Sequence, residues 1–150
     1  MNAYQVAGKK LLRRHDVTVR KWRTGTTGVA YEDGTIETPE PRGPVSFGTL
    51  AHEVGHVVLH WRSGRGRTPR WVEEVEAWEF ALNAVEEYGL NGYERVEADA
   101  IRSLVYAFAK AIRRGVLAAT IRDRFPTWWK LAVREDRNGV LGYALLRAAA

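Results

Sequence analysis

A chain of 150 residues with 45% apolar residues and six Trp has material for one folded domain with a real core. With no Cys it has neither a disulfide framework nor a thiolate metal site, so any metal must be held by His and carboxylate. No apolar run approaches the length of a membrane span and the N-terminus lacks a signal-peptide core, so the expectation is a soluble, cytoplasmic protein without membrane contact. The net charge of +5 is spread unevenly: residues 1–52 carry eight Lys/Arg against five Asp/Glu, residues 53–100 five against ten, and residues 101–150 ten against three. The basic C-terminal third suits direct nucleic-acid contact or an acidic partner, and equally a solvated Arg-rich helical surface.

In chain order, residues 2–15 read as a short helix, with Tyr4, Ala7, Leu11 and Leu12 on one face and His15 closing it. Val17 to Arg23 alternates apolar and polar side chains, a strand pattern. Val29 to Thr38 reads as a β-hairpin with Asp33-Gly34 at the turn, and Pro39, Pro41 and Pro44 end the sheet. The expectation is therefore a small antiparallel sheet of about three strands, counted from these runs.

Ser46 is the expected N-cap of the next helix, which extends to about Trp61 and contains His52-Glu53-x-x-His56. One helical turn apart, the two imidazoles can converge on one cation, while Glu53 is turned to reach a water on it without ligating it. The neighbours Leu50, Ala51, Val54, Val57, Val58 and Leu59 are apolar, so the helix is expected to be buried nearly all round. Ionisable groups in such a helix are costly unless paired or metal-bound; hydrogen-bonded core histidines are the plain structural alternative. Gly55 in the helix interior points to close approach by another element.

Arg62 to Arg70 is a basic loop, and Trp71 to Tyr88 a second helix stopped by Gly89. Helices follow at Tyr93–Arg114, Val116–Phe125, Trp128–Glu135 (capped by Thr127) and Val140–Ala149, with an Asn138-Gly139 turn. The fold class is thus α+β: a small sheet packed on the H-E-x-x-H helix and its successor, then an all-helical region. Residues 1–90 are read as the core and 91–150 as a helical extension packed on it.

A catalytic zinc site takes three protein ligands and leaves one position open. His60 lies two turns beyond His52, about 12 Å along the axis, too far for all three histidines to reach one ion. The acidic helix offers Glu73, Glu74 and Glu76. Glu74 shares a face with Ala77 and Ala81, which permit close helix approach, so Glu74 is the expected ligand, with Glu73 and Glu76 as alternatives.

The run His52-Glu53-x-Gly55-His56-x-x-Leu59-His60, followed by Glu74-x-x-Ala77-x-x-Phe80-Ala81, resembles the ImmA/IrrE family of gluzincin-type metallopeptidases over roughly residues 17–88. The resemblance implies a minimal zincin-like core, with His52, His56 and Glu74 as metal ligands and Glu53 as general base. It implies Zn2+, with Mn2+ or another divalent ion as the substitute. It also implies cleavage of an intracellular protein, typically a DNA-binding repressor of a mobile element or stress regulon. The chain departs from the family in having no helix-turn-helix, in carrying Trp78 where a small polar residue is common, and in its region 93–150. Related anti-restriction zincins share similar motifs, so a role in mobile-element defence is open too. The alternative from another class is a non-enzymatic, metal-stabilised module of a phage or mobile element that binds DNA or protein. Tyr31, Tyr88, Tyr93 and His60 are the groups available to steady an oxyanion, and the strand Thr35–Thr38 has two equal readings, as an edge that pairs with an extended substrate or as a strand that only packs on the sheet.

Overall fold

The computed structural model describes residues 1–64, 68–136 and 139–142. Arg65 to Arg67 of the basic loop, Asn138 of the expected turn and residues 143–149 of the last expected helix lie outside the described residues. The elements are α1 (Ala3–His15), β1 (Thr18–Arg23), β2 (Val29–Ala30), β3 (Thr35–Pro39), α2 (Pro44–His56) running into a π-helical turn (Val57–Trp61), α3 (Arg70–Glu87), α4 (Tyr93–Arg113), α5 (Ala118–Arg124) and α6 (Pro126–Glu135). The chain is α+β and mostly helical. It divides into two compact units, residues 1–68 with 76–97, and residues 69–75 with 98–150; α3 and α4 are unbroken helices with residues in both.

In the first unit, α1 opens with a reciprocal cap: Asn2 Oδ1 accepts from the Gln5 N–H at 3.0 Å and Gln5 Oε1 from the Asn2 N–H at 2.9 Å. The sheet has the order β1-β3-β2. β2 and β3 form the expected antiparallel hairpin around Asp33 and Gly34, whose φ of +86° suits glycine. β1, however, runs parallel to β3, so the sheet is mixed and not antiparallel. Residues 24–28 carry the chain out of β1 to β2 at the far edge, and the hairpin then returns β3 into the gap, aligned with β1. The same order decides between the two readings of Thr35–Thr38: β3 is paired on both sides, so the strand packs within the sheet and offers no edge, and the edges belong to β1 and β2.

α2 starts two residues before Ser46. Pro44 takes the first helical position, where its missing N–H costs nothing, and Gly43 is the N-cap. Ser46 instead accepts from the backbone N–H groups of Arg42 and Gly43 at 3.0 and 3.1 Å, bracing the chain before the helix. Every residue from Phe47 to Val57 is buried. Two glycines let neighbours close in: a Cβ on Gly48 would stand 2.9 Å from Val96 of α4, and one on Gly55 would stand 3.1 Å from the Phe80 side chain of α3. At the far end Arg62 donates to the carbonyls of His15 and Asp16, joining the close of the π turn to the end of α1.

The second unit is helical. Phe108 and Trp129 pack with ring centroids 6.3 Å apart, and Trp71 meets Phe125 edge-on at 5.9 Å. Leu104, Ile121 and Ala132 fill the same core. α6 begins at Pro126, again a proline at the first helical position, so Thr127 lies inside the helix and does not cap it. Asp136 accepts from the N–H groups of Leu141 and Gly142 at 3.0 and 2.6 Å.

Gly92 is a sensitive point of the first unit. Its φ is +89°, and a Cβ there would stand 2.5 Å from the Pro44 ring that starts α2. Gly92→Ala combines a left-handed backbone cost with overpacking and is expected to lower unfolding free energy by at least about 2 kcal/mol. Urea titration measures this, and a loss under about 0.5 kcal/mol, the size of an ordinary surface change, would show that Pro44 and Gly92 are not in firm contact.

Candidate metal centre

His52 and His56 are 8% and 2% exposed, one turn apart on α2, with ring centroids 4.6 Å apart and planes at 81°. Trp78 of α3 stacks on the His52 ring at 4.3 Å and 26°. Glu74 stands one turn before Trp78 on the same unbroken helix, so the helix carries its carboxylate to the face where the stacked imidazole lies. Ligand atoms of His52, His56 and Glu74 all lie within 4.8 Å of one another. A tetrahedral ion with bonds near 2 Å needs its ligand atoms roughly 3.3 Å apart. The torsions of one glutamate side chain span the difference. This His-His-Glu group can hold a divalent metal ion, and the donor set of two imidazoles and a carboxylate suits zinc-type coordination.

Hydrogen bonding engages the Nδ1 edges of His52 and His56. His60 Nε2 meets the Glu76 carboxylate at 3.3 Å, and His60 Nδ1 meets His56 Nδ1 at 3.1 Å. A carboxylate can only accept, so His60 donates from Nε2, and a neutral His60 ring presents a lone pair at Nδ1. His56 therefore donates from Nδ1 and keeps the lone pair of its Nε2 for a metal. The pattern repeats at His52, whose Nδ1 lies 3.0 Å from Glu53 Oε1. In both cases the second ring nitrogen is tied to a partner that fixes the tautomer and makes the imidazole a stronger donor. His60 stands behind His56, as the axial distance requires, and the π-helical turn that contains it sets its ring against that neighbour.

The other acidic residues of α3 have different places. Glu76, an alternative third ligand in sequence, is engaged with His60. Glu73, the other alternative, is fully buried and lies 3.9 Å from Arg70. Arg70 also pairs with Glu74 at 3.0 Å. Glu53 is 6% exposed, and its side chain lies along Gly28, where an added Cβ would be 2.8 Å from Glu53 Cγ. Gly28 immediately precedes β2, so the absent side chain there makes room for Glu53 beside the sheet edge.

Tyr31 donates to Glu37 Oε2 at 2.5 Å, and that bond raises its pKa above the usual phenol value. The Arg20 guanidinium lies 3.8 Å over the same ring. Tyr31 is thus held within the sheet. Burial raises the pKa of Tyr93, at the start of α4. His15 is half-buried, edge-on to Phe80 at 5.5 Å, and burial lowers its pKa.

Sequence reasoning missed the Glu76 partner of His60 and the contact of Gly28 with Glu53. The first had a signal: Glu76, His60 and His56 fall at positions that two antiparallel helices can bring to one line. Gly28 offered none, because its neighbour is 25 positions away in sequence. No protein-family model, curated protein or solved structure matches the chain.

Because His60 orients His56 and does not ligate, His60→Ala is expected to weaken metal binding roughly 10- to 100-fold. Glu74→Ala removes a donor atom and is expected to weaken it further. Competition against a chromogenic chelator measures both. Wild-type affinity in His60→Ala would detach His60 from the centre.

Proposed function

We propose that the chain is a zinc-dependent metallopeptidase that cleaves a protein, with Glu53 as general base. The observation that carries the reading is the convergence of His52, His56 and Glu74 beside a buried carboxylate that belongs to the same H-E-x-x-H turn. Hydrolysis needs such an acid, since it moves a proton from water to the leaving amine. The resemblance to ImmA/IrrE peptidases points the same way, and under it the substrate is a DNA-binding repressor or another regulator of a mobile element.

His52, His56 and Glu74 would hold the ion, which would supply Lewis acidity to water and to a carbonyl oxygen. Trp78 keeps the His52 ring from turning. Glu53 takes a proton from water and returns it to the amine as the peptide bond breaks. Its carboxylate waits in hydrogen bond with His52 Nδ1 and swings only through its own side-chain torsions to do so.

An extended substrate is best received at β2. Tyr31 donates its N–H inward to Thr35 O at 2.9 Å, so by alternation the N–H and C=O of Ala30 point to the outer edge. That edge begins at Gly28, against Glu53, which brings a backbone-paired peptide beside the base.

The test is Glu53→Gln in the full chain, loaded with zinc and incubated with a denatured protein extract whose new N-termini are mapped by mass spectrometry. Metal content is expected to stay near that of the wild type while cleavage falls by at least about 100-fold. Cleavage at the wild-type rate, or no metal bound by either form, would defeat the reading.

A further inference from the structure

Within the second unit, a cleft of about 490 Å³ opens along α4 and the first turn of α3. One wall is made by Ser103, Tyr106, Ala107, Lys110 and Ala111 on one face of α4, continued by Arg114 just past its end. Pro69, Arg70, Trp71 and Glu74 form the opposite wall, and Val116 closes one end. The volume is that of a small-ligand or side-chain pocket.

Two features of the lining name its occupant. Tyr106 is 62% exposed, a large aromatic surface left at the mouth of the cleft. The charge is unbalanced: Glu74 is the acidic member and is paired with Arg70 at 3.0 Å, which leaves Lys110 and Arg114 without an ion pair among the described residues. The cleft thus has apolar walls and two cations with no counter-charge, and it shares Glu74 with the metal-binding group.

We infer that this cleft binds an acidic peptide segment, with an Asp or Glu side chain against Lys110 and Arg114 and an apolar neighbour against Tyr106. The inference builds on the peptidase reading and gives it a substrate preference: acidic residues flanking the bond to be cleaved. An ammonium or guanidinium group would meet like charge, and a neutral polar chain would leave both cations without a partner. Because Glu74 lines the cleft, a chain seated in it passes directly beside a metal ligand.

The experiment is fluorescence anisotropy of the full chain with labelled twelve-residue peptides alternating Leu with Glu, Gln or Lys, and with a twelve-nucleotide single-stranded DNA. It is run in the Glu53→Gln background to prevent cleavage, with zinc and after chelation. The Glu-Leu peptide is expected to bind at least tenfold tighter than the Gln-Leu and Lys-Leu peptides, with affinity falling as salt rises. Lys110 and Arg114 are exposed, so Lys110→Glu with Arg114→Glu leaves the core intact, and it is expected to erase the preference. Lys110→Arg keeps it, and Tyr106→Ala weakens binding of both the Glu-Leu and Gln-Leu peptides. Equal binding of the Glu and Gln peptides, indifference to the double reversal, or tighter DNA binding through the same two cations each overturns the inference. Preference for the acidic peptide after chelation, with no cleavage by wild type, keeps the cleft and discards the peptidase. Cleavage without acidic preference does the reverse.

Discussion

Four ionisable side chains within nine residues of one buried helix set the terms for the rest of the structure. His52, Glu53, His56 and His60 are each less than a tenth exposed. Burying such groups costs several kcal/mol apiece unless each finds a partner. They find them in pairs: Glu53 with His52, and His60 with both His56 and Glu76. These pairings use the Nδ1 edges of His52 and His56, and each ring has a ligand atom within 4.8 Å of Glu74. The same bonds that make burial tolerable also make the imidazoles better donors for a metal.

α3 is the complement to that helix. Along it Glu74, Trp78 and Phe80 contribute a carboxylate, a stacking ring and an apolar filler, all within two turns. Phe80 comes close because Gly55 has no side chain, and Trp78 covers His52 where a smaller residue would leave the ring free to rotate. Trp78 therefore has a physical use here: it holds the His52 ring in orientation. Glu76 reaches His60 from the same helix, so one element provides a candidate ligand and supports two histidines.

The sheet is small, and its contribution is positional. Its mixed topology puts β2 at an edge, and Gly28 at the start of that edge rests on the Glu53 side chain. Had the three strands formed a simple meander, β2 would be central and its backbone fully paired. Local hydrogen bonds, such as those of Ser46 before α2, then fix where the helix leaves the sheet.

Helix positions, the hairpin turn at Asp33-Gly34 and the burial of α2 were legible from sequence, because periodicity, turn chemistry and apolar flanks are local properties. So was the one-turn spacing that sets His52 beside His56, since an α-helix fixes it. Choosing Glu74 from Glu73 and Glu76 rested on helical phase alone, and the structure puts Glu74 with the two histidines, Glu76 on His60 and Glu73 in the interior. Strand order could not be read: each strand's pattern states which residues are buried and is silent on which neighbour it pairs with or in which direction. The helix starts at Pro44 and Pro126 went to proline because its fixed backbone angle outweighed the side-chain caps expected at Ser46 and Thr127. The tautomers of His56 and His60, the stacking of Trp78 and the contact of Gly28 with Glu53 were decided only by tertiary structure, because each depends on residues far apart in the chain meeting within a few ångströms.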